Sequence, residues 1–114
     1  MRRIAVALGI LALSWGADAQ VVTRYAPLGY QQISALSSAI NLTVPTGARI
    51  AEICVEVASV RYRDDGTAPT SSVGVLVAPL SSSIPNCFQY SGGLTAIQFI
   101  AVSGSPIIDV AYYR

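Results

Sequence analysis

From Ala51 the chain alternates in steps of two. Ile53, Val55 and Val57 are apolar, Glu52 and Glu56 fall on the other face, and Cys54 sits between them. This is the period of a strand with one face on a core. After Val57 the phase inverts, so that Ala58, Val60 and Tyr62 form the apolar set and Ser59, Arg61 and Arg63 the polar one. A regular strand cannot exchange its buried face, so the inversion predicts a β-bulge or a crossing between sheets near Ala58. Alternation resumes at Val73, Val75 and Val77, and again at the chain end, where Ile108, Val110 and Tyr112 share a face.

Turn chemistry divides the rest. Val21 to Leu28 reads as a leader strand or arm, with Pro27 unable to donate to a ladder and Gly29 giving a turn into Tyr30–Ile33. Ser34 to Ser38 reads as a loop, although Ile33, Leu36 and Ile40 would also fit one or two helical turns. Asn41 to Val44 is a short strand, followed by a Pro45-Thr46-Gly47 turn with Pro at the second turn position and Gly supplying positive φ. Asp64-Asp65-Gly66-Thr67 is a strong turn signal, Pro79 ends the strand begun at Val73, and Cys87 to Tyr90 is a short strand after a Ser-rich loop. Ser91-Gly92-Gly93 turns into Leu94–Val102, apolar on both faces and read as a buried central strand. About seven short strands, with turns roughly every eight to twelve residues, predict an all-β, single-domain β-sandwich or jelly roll.

Composition narrows what such a domain does. The 114 residues suffice for one domain, and 53% are hydrophobic while 11% are charged, a low charge density that leaves apolar surface for a partner. All seven cationic residues are arginines, with no lysine and no histidine. That removes the usual proton shuttle, the commonest zinc ligand and any Schiff-base amine, and predicts a protein that is not an enzyme and takes no cofactor. Without Arg2, Arg3 and Asp18, five arginines face five acids, so no basic stripe remains to follow a phosphate backbone and direct nucleic-acid binding is not expected.

Residues 1–19 have the three parts of a secretory signal: Arg2-Arg3, an apolar stretch from Ile4 to Trp15, and Ala17-Asp18-Ala19 before Gln20. The stretch is short against the roughly 20 apolar residues of a membrane span, so no stable span is expected, and the other reading is an uncleaved arm before a domain over 20–114. Cys54 and Cys87 are the only cysteines and read most simply as one disulfide, with two free thiols as the alternative; no metal site is expected from them.

Candidate sites are few. Glu52 and Glu56 lie four positions apart on one strand, about 13 Å between Cα atoms, whereas a glycosidase pair needs roughly 5–9.5 Å. They read as solvated strand-face charges. Asp64-Asp65-Gly66 lacks the spaced ligands of a calcium loop and reads as turn chemistry. Asn41-Leu42-Thr43 matches a glycosylation sequon that carries no weight by itself. Of the six tyrosines, Tyr62 and Tyr112 fall on core positions by periodicity, while Tyr25, Tyr30 and Tyr113 are candidate surface aromatics for an assembly interface or a carbohydrate.

Gly29–Ile33, Val60–Thr70 through Gly74, Leu94–Ile100 and the terminal Ala111-Tyr112-Tyr113-Arg114 together resemble a family of small tailed-bacteriophage proteins. The Arg61-Tyr62-Arg63-Asp64-Asp65-Gly66-Thr67-Ala68-Pro69-Thr70 block is the most specific part. The resemblance implies a virion structural protein, a capsid decoration or a head or tail fitting, which gathers as a homo-oligomer with copies of itself and other virion proteins. On that reading Tyr30, Arg61, Arg63, Asp64, Asp65, Tyr112, Tyr113 and Arg114 are the expected contact residues, because exposed Arg and Tyr are enriched in interface cores. The rival is a prophage-encoded or bacterial exported relative, a periplasmic or extracellular β module that binds carbohydrate or a cell-surface partner.

Overall fold

The structure is a computed structural model that describes residues 24–114; the secretory-type segment and the first residues of the leader arm lie outside them. The described residues form eight strands: β1 (Pro27–Ile33), β2 (Ile40–Asn41), β3 (Ile50–Glu56), β4 (Val60–Arg63), β5 (Val75–Val77), β6 (Asn86–Tyr90), β7 (Gln98–Ala101) and β8 (Ile107–Tyr113). They pair antiparallel into two four-stranded sheets, the first in the order β1-β8-β3-β6 and the second β2-β7-β4-β5. The all-β sandwich expected from periodicity is the observed architecture. Among the described residues no helix is long and apolar enough to cross a membrane.

The register explains the core. In the first sheet Ile53 lies opposite Val110, Val55 opposite Ile108 and Ala51 opposite Tyr112. Directly opposed residues share a face, and all six are buried against the second sheet. From that sheet Val60, Phe99 and Val77 point inward to meet them. Tyr62 adds an aromatic contact across the gap, 6.0 Å from Phe88 between ring centroids, and packs 5.7 Å from Phe99, its partner within the second sheet.

The predicted corner is where the phase inverts. Val57 has φ 77° and Ala58 N–H donates to Glu56 C=O at 3.0 Å, a γ-turn that throws the chain from the first sheet to the second. This conformation is costly for a β-branched residue. Its side chain leaves the apolar face of β3 for solvent, at 53% exposure, so Val57 does not belong to the buried set its alternation with Val55 suggested.

Three local readings are corrected. Gly29 does not turn; it lies inside β1, where the pairing with β8 slips between Pro27 and Gly29. Residues 34–38 are the loop expected of them, and Leu36 is buried from within it. Ala48 N–H bonds to Pro45 C=O, so Pro45 is the first and Gly47, at φ 89°, the third position of that turn. Leu94–Val102 is not one strand, because Ala96 and Ile97 N–H both donate to Gly93 C=O, winding a helical turn that buries Leu94 and Ile97 before β7 begins at Gln98.

Candidate functional site

The residues singled out from sequence divide among four places. Tyr112 is one of the largest core side chains, 1% exposed, and its hydroxyl donates to Gln31 Oε1 at 2.7 Å. It is therefore unavailable to a partner, which corrects its place among the contact residues; burial pushes its pKa up to about 12. Tyr30 is 64% exposed on the outer face of the first sheet.

There Tyr30 meets chemistry that the sequence did not announce. Gln32, Asp109, Cys54 and Cys87 form one row across β1, β8, β3 and β6. Asp109 Oδ1 accepts from the Tyr30 hydroxyl at 2.7 Å and from Gln32 Nε2 at 2.8 Å. The neighbouring Asp109 carboxyl raises the pKa of Glu56, while Asp109, although burial pushes its carboxyl upward, is held below its ordinary value by Glu56 and by the bonds from Tyr30 and Gln32. The same bond to Asp109 raises the Tyr30 pKa. Glu56 thus finds its partner in a carboxyl on β8. Asp109 was legible as an outward position of its strand, but its proximity to Glu56 depends on a register between distant segments.

The sulfurs of the same row are joined. Cys54 and Cys87 are directly opposed on β3 and β6 and form a disulfide with S–S 2.05 Å. Glu52 lies close to both sulfurs, but the thiolates a metal would need are consumed in the bond. A formed disulfide suits an oxidising compartment. It staples the edge strand β6 to its neighbour on the outside of the sheet, with Cys87 exposed.

The Arg61–Thr70 block makes a folded loop beside the edge strand β5. Arg61 is committed to holding it: its Nε donates to Ser71 C=O at 3.2 Å and its Nη1 to Gly74 C=O at 2.8 Å. Arg63 forks onto Asp65, Nε to Oδ1 at 3.1 Å and Nη2 to Oδ2 at 2.5 Å, and Thr67 N–H caps the same carboxylate. Asp65 is consequently held below its usual pKa by the Arg63 guanidinium first and Thr67 N–H second. Asp64 accepts from the Tyr90 hydroxyl at 2.7 Å, tying the loop to β6; burial and that bond push Tyr90 up to about 12. Arg63, Asp64 and Asp65 line a cleft of about 380 Å³ with Val73, Gly74 and Val75.

Tyr113 ends β8, and Arg114 follows it, at the pole of the first sheet where all four of its strands begin or end. Arg24 and Tyr25 precede β1, Arg49 and Ile50 open β3, and Ser91 follows β6. These residues and Arg114 line a second cleft of about 480 Å³. Three guanidinium groups therefore converge from three adjacent strand ends. No family model, curated protein or solved structure matches this chain.

Proposed function

We propose that this chain is a non-enzymatic assembly protein of the virion-structural type implied by its resemblance to small tailed-phage proteins. One observation carries the reading. Five large apolar side chains, Val73, Val75, Leu76, Leu80 and Ile84, are 51–69% exposed and gather on and around the edge strand β5. Among the described residues β5 has a hydrogen-bonded neighbour on one side alone. Exposed, uncharged, apolar edge strands are what proteins normally protect, because they template pairing with another chain. Here the apolar edge is the working surface.

The occupant is a second copy. Val75-Leu76-Val77 reads the same in both directions, so two β5 strands paired antiparallel about Leu76 set Val75 opposite Val77 at each end and bring no like charges together. Such isologous contacts close by two-fold symmetry and can be repeated on a lattice. The reading is tested by sedimentation of the disulfide-intact chain. Self-association in the micromolar range, abolished by Leu76→Lys with the β-sheet circular-dichroism spectrum and melting curve retained, is the expected result. A wild-type chain that stays monomeric up to millimolar concentration removes the reading.

A second reading rests on the disulfide: an exported β module that binds carbohydrate or a cell-surface partner. Intact mass of native material separates the two. A chain beginning at Gln20 supports the exported module, and the full chain recovered from purified particles supports the virion protein.

A further inference from the structure

We propose that the cleft at the pole of the first sheet binds an anionic saccharide, a sugar unit carrying a phosphate, sulfate or carboxylate group. The case starts from charge. Of five arginines among the described residues, Arg61 is spent on loop carbonyls and Arg63 on Asp65, and the remaining three, Arg24, Arg49 and Arg114, all line this one cleft. Among the described residues no carboxylate comes within 4 Å of any of the three, since Arg63–Asp65 is the one ion pair. Asp64 and Asp65, which follow β4 at this pole, are engaged by Tyr90 and Arg63. The neutral Tyr90 phenol leaves Asp64 its charge, so three unpaired guanidinium groups stand against one unpaired side-chain carboxylate at this pole, and the cleft keeps a net positive charge.

Two roots of the cluster, those of Arg49 and Arg114, are held in the sheet. Arg49 N–H donates to Tyr113 C=O at 2.8 Å, and Arg114 and Ala26 exchange both backbone hydrogen bonds, at 3.0 and 2.9 Å. Adjacent strands are spaced about 4.8 Å apart, so Arg49 and Arg114 start about one strand spacing from each other, and Arg24, two residues before Ala26, lines the same cleft, so that the three can close on one compact oxyanion. Guanidinium groups suit that task because they present paired donors to phosphate, sulfate or carboxylate oxygens. Like charges held together without a bound counter-charge cost stability, and an anion relieves that repulsion.

The remaining wall points to a sugar. Tyr25 lines the same cleft at 51% exposure, an aromatic face available to the apolar side of a pyranose ring, and Ser91 adds a hydroxyl partner for sugar oxygens. A cleft of about 480 Å³ takes one or two such rings, and with no basic track leading away from it among the described residues, it does not fit a nucleic-acid backbone.

Calorimetric titration of the disulfide-intact chain with glucose 6-phosphate, galacturonate, glucose, inorganic phosphate and a thymidine oligonucleotide tests the proposal. Saturable binding of glucose 6-phosphate and galacturonate is expected, weaker binding of inorganic phosphate, and none of glucose. Affinity should fall with salt. Arg49→Gln and Arg114→Gln should each weaken binding roughly tenfold or more, the scale of a charge-assisted hydrogen bond. Arg63→Gln should leave it unchanged, and Tyr25→Ala should erase the preference for the phosphosugar over free phosphate. Amide shifts in the wild-type NMR spectrum provide a readout free of variant folding: changes confined to residues around Arg49, Ser91 and Arg114 support the site. Changes elsewhere, no binding at all, glucose binding as well as its phosphate, free phosphate binding as tightly as the phosphosugar, or tighter capture of the oligonucleotide would each overturn the proposal.

Discussion

The two long sides of this sandwich solve the same problem in opposite ways. At the β1/β2 side the gap between sheets is closed by side-chain hydrogen bonds: Gln31 Oε1 accepts from Thr43 N–H at 3.0 Å and from the Tyr112 hydroxyl at 2.7 Å, and Gln31 Nε2 donates to Thr43 Oγ1 at 3.2 Å. A polar plug of this kind satisfies groups that neither sheet can satisfy alone. At the β5/β6 side, Asn86 Nδ2 to Ala78 C=O at 2.9 Å and Tyr90 to Asp64 tie the ends, while the apolar residues on and beside β5 face solvent. β6 is held to β3 covalently instead. The lesson is that one side is sealed by local chemistry, and the other is stabilised by a staple that leaves its edge free for a partner.

The strongest way to break that contrast is to remove the staple. The bridge joins residues 33 apart in sequence, and closing a loop of that length stabilises a fold by about 3–4 kcal/mol on the chain-entropy account. Replacing both cysteines by Ala should lower unfolding free energy by about that amount in a urea titration. Hydrogen-exchange protection should fall most in Asn86–Tyr90, because β6 is an edge strand with β3 as its one neighbour. An equal loss of protection in β1 would show that the two sides are not independently held.

The plug gives a smaller effect. Gln31→Ala leaves Thr43 N–H and the Tyr112 hydroxyl without their shared acceptor, and an unmet donor costs about 1–3 kcal/mol. Destabilisation near 2 kcal/mol is expected, with exchange rising in β1 and β2 while β5 and β6 keep wild-type protection. A loss below about 0.5 kcal/mol would mean that water replaces the plug at no cost.

How far these features could be read from the sequence depends on the range of the interaction. The Ile53, Val55, Ile108, Val110 and Tyr112 faces were legible because burial imposes a period of two on consecutive residues, and the corner at Val57 was legible as a break in that period. Leu94–Val102 defeated the same argument: a run apolar throughout has no period, and the bonds to Gly93 C=O that wind it into a turn leave no mark on residue type. Glu56 with Asp109, and Arg24 with Arg49 and Arg114, are pairings of strands across the first sheet. Their proximity is fixed by register, which sequence periodicity does not specify between distant segments. Tyr112 was legible as core from its alternation, and only its motif placed it at the surface.

Tyr112 also sharpens the contrast most finely. Tyr112→Phe keeps the ring in the core and leaves Gln31 Oε1 its bond from Thr43 N–H, so the cost at neutral pH should be about 1 kcal/mol, one ordinary hydrogen bond. The pH dependence is more diagnostic. Burial raises the folded pKa of Tyr112 from 10.0 to about 12, so below pH 10 the phenol is neutral in both folded and unfolded chains and its contribution is fully present. Between pH 10 and 12 the unfolded chain ionises first, releasing a proton the folded chain retains, and stability falls as pH rises. Tyr90, likewise raised to about 12, adds to the fall from the opposite side of the sandwich. Thermal melts from pH 9 to 12 should therefore show a steep loss for the wild type, a shallower one for Tyr112→Phe, and the shallowest for Tyr112→Phe with Tyr90→Phe. If Tyr112→Phe left the alkaline slope unchanged, the plug side would already be open to hydroxide and water, and the distinction between a sealed side and an open one would fail at its most buried hydroxyl.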